Sequence, residues 1–219
     1  MTVVLLVLSV PIIRGVLPGD LDSRAGTPGF VLPSRAALGI GLMAFVALMS
    51  EGAIVDWSAV YLLEHLSSGE GVAALGFAAF SATMTVGRFL GDRLRARLTE
   101  VRLLVASSAV SAAGLATGLL FPSPTSAIVG FGIMGFGMAN MVPLLFVAGA
   151  RVPGLAPSIG LATVTTVGYA GFVAGPVVIG GLAEIAGLRA ALATIVLGIV
   201  AIALVTPRYM RSAPSRVAR

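Results

Sequence analysis

Thr85-Val-Gly-Arg-Phe-Leu-Gly-Asp-Arg-Leu-Arg-Ala-Arg-Leu98 is the densest cluster of charge in the chain. Arg88, Arg93, Arg95 and Arg97 surround one acid, Asp92, and Gly87 and Gly91 stand four apart just before it. Long apolar runs flank the stretch on both sides. It therefore reads as a short, tightly turned, cationic loop joining two membrane helices.

The rest of the composition agrees. Of 219 residues, 58% are hydrophobic and only 11% charged, with a mean hydropathy of +1.05. A soluble domain carries about 25% charged residues. A water-soluble fold of this length has no way to hide so much apolar surface, so the solvent is largely lipid. The 28 glycines and 12 prolines fit helices packed closely inside a membrane. Cysteine is absent, which excludes disulfides, thiol nucleophiles and cysteine metal sites. A single histidine, His65, excludes a histidine-rich metal site. All of the net charge of +5 comes from arginine at the ends of apolar runs, so no soluble basic face exists to bind nucleic acid. No hydrolase, metalloprotease or nucleotide-binding signature is present. Gly130-Phe-Gly132-Ile-Met-Gly135 echoes a dinucleotide loop but lies inside an apolar run, where it is a packing surface. Neither an enzyme nor a cofactor or metal site is expected.

Along the chain, residues 1–17 read as the tail of a membrane helix, too short for a full span. A secretory signal peptide fits less well, because no basic residue precedes the apolar core. Residues 18–35 are rich in proline, glycine and polar groups and read as a linker. Six spans follow over residues 36–206. Their expected extents are about 36–65, 71–91, 101–121, 125–150, 158–182 and 189–206, with a basic tail over 207–219. Continuous runs of about 20 apolar residues argue against an outer-membrane barrel, whose strands alternate over about 10. Six spans allow a three-plus-three pattern. Thr85-Val-Gly87 in the second span and Thr166-Val-Gly168 in the fifth match such a repeat, although three residues match easily by accident.

Arginine counting gives an orientation. Alternate connections collect every arginine except Arg189, while Glu64, Glu70 and Glu184 fall on the opposite side. The rule that positive loops stay inside places the linker and tail in the cytoplasm of a bacterial inner membrane.

Candidates for chemistry are polar groups inside spans. Glu51 lies roughly 24 Å along the first span. A charge at such depth costs on the order of 3 kcal/mol unless it faces protein or water. Glu51 is either a proton-coupling or substrate-binding group or a structural bond inside the bundle. Asp56 carries the same two readings. Trp57 is either a stacking platform or an interfacial anchor. Asn140 and Tyr169 are pathway candidates in the fourth and fifth spans. Pro143 is placed to bend the fourth span, and Gly168, Gly171, Gly175 and Pro176 to pack and bend the fifth. His65 reads as a surface residue. Asp92 with Arg88 and Arg93 is the candidate inner-face latch, with Gly87 and Gly91 allowing close helix approach.

These residues carry a resemblance. Gly87-Arg-Phe-Leu-Gly-Asp-Arg-Leu94 resembles the loop motif of the major facilitator superfamily, with Arg95-Ala-Arg97 in place of the usual basic ending. Gly168-Tyr-Ala-Gly-Phe-Val-Ala-Gly-Pro176 is similar to that family's glycine-proline helix. Glu51-Gly-Ala-Ile-Val-Asp-Trp-Ser58 and Ala139-Asn-Met-Val-Pro-Leu-Leu-Phe146 resemble its MosC-like and fucose-permease-like branch. The resemblance implies the C-terminal six-helix half of a twelve-helix carrier, an inverted repeat of three helices, and a site near the midplane between halves. It implies transport of a small polar, sugar-like solute driven by protons, together with a missing N-terminal half as partner. The competing expectation is a non-transporting membrane component that packs against another half.

Overall fold

The computed structural model describes residues 34–210. The expected helix tail at 1–17, almost all of the 18–35 linker and the basic tail beyond 210 lie outside the described residues. Helix α1 (Arg35–Val60) starts where Ser34 accepts a hydrogen bond from the Ala37 amide, 3.2 Å, satisfying one orphan donor of the first turn. It widens into a π-helical segment, Tyr61–His65. Then come α2 (Glu70–Arg97), α3 (Glu100–Leu120), α4 (Pro124–Met138), α5 (Met141–Ala150), α6 (Pro157–Ala186) and α7 (Leu188–Met210). Thr99 and Ser123 cap α3 and α4. Pro124 and Pro157 open their helices, where a missing N–H loses nothing. With α4 and α5 counted as one, six helices are long and apolar enough to cross a membrane, and no strand occurs among the described residues. The chain is a multi-pass, all-helical membrane protein.

Three expectations change. Residues 85–97 form no loop: α2 runs on through Arg97, and the turn is confined to Leu98-Thr99. Arginines in that last turn suit the negative end of the helix dipole, so the charged stretch stays helical. The fourth span is broken at Ala139-Asn140. Pro143, which was expected to bend it, sits just beyond, in the first turn of α5; lacking an N–H, it leaves the Ala139 carbonyl without its i+4 donor. At the end, Pro207 lies inside α7, which continues to Met210.

The packing explains the glycine count. α1 lies parallel to α6: Gly41 meets Val167, Gly168 meets Ala44, and Gly180 meets Trp57. α2 lies parallel to α4: Gly76 meets Phe131, and Gly87 meets Phe136 and Ala139. Exchanging the first three spans with the last three maps one parallel pair onto the other and leaves the α3–α7 contact in place. That is the three-plus-three inverted repeat. Polar glue crosses the interfaces: the Thr83 hydroxyl donates to the Gly132 carbonyl at 2.6 Å, and Ser111 to Met134 at 3.3 Å.

Candidate functional site

The site candidates divide once side chains are placed. Glu51 is half-buried on α1, and Arg88 reaches toward it from α2, with Arg88 Nη2 to Glu51 Oε1 at 4.0 Å. Arg88 also approaches the Met84 sulfur, 3.3 Å, one turn back on its own helix. The arginine is the more open partner, its side chain 59% exposed against 23% for the glutamate. An acid inside a span is thus paired with a cation from the neighbouring helix, and both remain reachable from outside the bundle. Such a pair can exchange a proton or a ligand anion without unfolding anything.

Asp92 and Arg93 are both exposed. Among the described residues no cation stands within 4.0 Å of Asp92. Of the expected latch residues, Arg88 forms an ion pair, and its partner is Glu51. Arg151 and Glu100 form the other pair, at 2.6 Å, tying the end of α5 to the start of α3.

Asn140 is buried where the broken fourth span meets α2. It is 5% exposed, and its Nδ2 donates to the Gly87 carbonyl at 3.1 Å. Its amide lies against Gly91. The two glycines of the opening stretch therefore leave the room that a broken helix needs to bond to α2. Pro143 belongs to the same joint.

Asp56 is exposed on α1, away from the buried face. Trp57 is half-buried, and its indole edge covers Gly180 of α6. Its Nε1 is buried with no hydrogen-bond partner among the described residues, and so are Ser58 Oγ and Tyr61 Oη. Sequence reasoning missed Ser58 and Tyr61. A weak signal existed: Tyr61 and His65 are four apart, and their rings stack with centroids 5.0 Å apart.

Tyr169 projects from α6 beside Phe146 of α5, ring centroids 6.2 Å apart. It lines an open groove of about 620 Å³ with Thr166, Ala170, Val173, Ala174 and Val177. Gly168, Gly171 and Gly175 point the other way, into the α1 interface, where Gly171 abuts the Phe45 carbonyl. Pro176 lies within α6, which runs unbroken from Pro157 to Ala186. Among the described residues no cluster of histidine, aspartate or glutamate is arranged to hold a metal.

No protein-family model matches the chain. It is 34% identical over 201 residues to an uncharacterized MFS-type transporter of Yersinia pestis, covering 92% of this chain and 52% of that protein. It is 37% identical over 161 residues to the membrane protein MosC of Rhizobium meliloti, covering 73% of this chain and 40% of MosC. The chain thus spans about half the length of these relatives. A solved structure of the peptide transporter POT, a mutant in complex with alafosfalin, superposes with a TM-score of 0.70 at 14% identity, over 83% of this chain and 40% of POT. At that identity the likeness concerns the fold alone.

Proposed function

Because this chain belongs to the major facilitator superfamily and carries one six-helix half of that fold, we propose that it serves secondary active transport of a small polar solute, driven by protons. The observation that carries this reading is the Glu51–Arg88 pair, 4.0 Å apart across two helices and open to the outside of the bundle. A carboxylate there holds a counter-ion when ionised and releases it when protonated. Loading a proton on Glu51 then loosens α1 from α2, which is the coupling that alternating access needs. The exposed wall of α6 around Tyr169 supplies the remaining surface, and a second six-helix half closes the pathway against it. A sugar-like substrate follows from the resemblance of the Glu51–Ser58 and Ala139–Phe146 stretches. Asp56 and Trp57 belong to the far mouth of the same pathway. The arginine-rich end faces the cytoplasm, and a reporter fused at Ala96 reads as cytoplasmic.

The test is Glu51→Gln in the complete carrier. Proton-driven uptake is lost, while exchange of substrate down its own gradient continues. Unchanged uptake would remove Glu51 from the coupling. Loss of both modes would favour the second reading, in which this half only packs against a partner; the apolar groove of α6 supports that reading equally well.

A further inference from the structure

Arg189 is the one arginine that breaks the charge asymmetry of the chain, and the structure gives it a place. It stands in the first turn of α7, just after Gly187, whose φ of +82° favours glycine. With His65, Leu119, Leu120 and Ala193 it lines a cavity of about 530 Å³ at the end opposite the arginine cluster. Four elements meet there: the π segment, the end of α3, the end of α6 and the start of α7.

The electrostatics of this cavity are unbalanced. The first turn of a helix already presents unpaired N–H groups and the positive end of the dipole. A guanidinium added there is unfavourable unless an anion answers both. Glu64, Glu70 and Glu184 stand at this end, yet among the described residues none pairs with Arg189 within 4.0 Å. Beside the cavity, Tyr61 stacks on the His65 ring, and its hydroxyl is fully buried with no hydrogen-bond partner among the described residues. A cation, an imidazole and a helix N-terminus converge on one concave volume, with an unsatisfied hydroxyl next to it.

The cavity also continues into an apolar track. Ala190, Ala193, Leu197, Val200 and Leu204 recur at helical spacing on one face of α7. Leu197 and Leu204 are 70% and 75% exposed. At 1.5 Å per residue this stripe runs about 21 Å, more than the roughly 15 Å of one leaflet's hydrocarbon. A soluble anion would use the cavity and ignore the track.

We propose that this cavity binds the phosphate headgroup of an anionic phospholipid, with one acyl chain lying along the exposed stripe of α7. The phosphate accepts hydrogen bonds from Arg189 and the first amides of α7, and His65 and Leu120 form the rim. The site lies roughly 12 Å along the first span beyond Trp57, and its lining includes none of the proposed pathway residues.

The experiment uses the full chain in detergent micelles and counts retained phosphatidylglycerol by native mass spectrometry. Wild type and Arg208→Gln, a charge removed at the other end of α7, retain the lipid equally. Arg189→Gln retains about fivefold less, the scale of one arginine near an anionic headgroup. Ala193→Trp, which fills the cavity and keeps the charge, shows the same loss, so a folding failure of one variant does not decide the matter. Phosphatidylcholine and glycerol phosphate distinguish none of the chains. Equal retention in both cavity variants overturns the proposal. So does an equal loss in Arg208→Gln, which would mean diffuse charge attraction. Displacement of the lipid by inorganic phosphate overturns it too, because the site would then take a soluble anion.

Discussion

Helices α2 and α6 occupy equivalent places in the two triplets, and they solve the same packing problem in the same way. Each buries a single narrow stripe: Ala73, Gly76, Phe80, Met84, Gly87 and Gly91 on α2, and Gly160, Val164, Gly168, Gly171, Gly175 and Ile179 on α6. Each stripe includes the glycine of a Thr-Val-Gly triplet, and each of those glycines faces the first helix of the opposite triplet. The very next residue is where they part. On α2 it is Arg88, answered by Glu51 of α1. On α6 it is Tyr169, answered by Phe146 of α5. One copy carries an inter-helix charge pair and the other an aromatic wall. The stripe holds the fold, and the position beside it is free to carry function.

The comparison can be broken most forcefully at Gly171. A methyl group there meets the Phe45 carbonyl, a backbone atom that has nowhere to go. Gly171→Ala is expected to destabilise the bundle by about 3 kcal/mol, measured by SDS-induced unfolding in micelles. A near-neutral result would show that α6 does not need its close approach to α1. A middle effect is expected from Asn140→Ala, which removes the bond to the Gly87 carbonyl and frees the joint of the fourth span from α2. The loss should be about 1 kcal/mol in the same titration, with faster amide exchange around Met141. The smallest effect belongs to Tyr169→Phe. The ring is 58% exposed and its hydroxyl makes no bond among the described residues, so stability should move by less than about 0.5 kcal/mol. A drop in transport with unchanged stability would mark the hydroxyl as a substrate contact and sharpen the contrast with Arg88.

The spans and the family were legible because lipid imposes a length on every crossing and rejects charge along it. Runs of about 20 apolar residues therefore announce helices almost without reference to neighbours. Glycines four apart were legible as packing faces for the same reason. The site was harder. Charge density at residues 85–97 reads as a loop, since four arginines so close together suit a water-exposed turn. A helix emerging from the bilayer presents the same residues without breaking. Pro143 reads as the bend, although the joint lies at Ala139-Asn140, where Asn140 bonds to a carbonyl 53 positions away in sequence. Glu51 stood out as a lone acid. Its partner could not be read, because Arg88 and Arg93 both stand within one turn or so of Asp92 in the chain, and only the fold shows that Arg88 leans toward α1. Arg189 was visible from the start as the exception to the count of positive residues, and an exception of that kind is itself a signal.

The π segment at Tyr61–His65 has a wider meaning. A π turn holds one residue more than the helix around it would use, so the first span takes up an extra residue in place. The lower part of the first span is indexed by its match to α6, and the upper part by Tyr61 set edge-on to Phe131 of α4, ring centroids 6.2 Å apart. The extra residue uncouples these two registers. Gaining or losing a single codon at that point re-aims the outer end of the span while every contact below it keeps its partner. The far rim can therefore be re-aimed without disturbing the bundle that supports it.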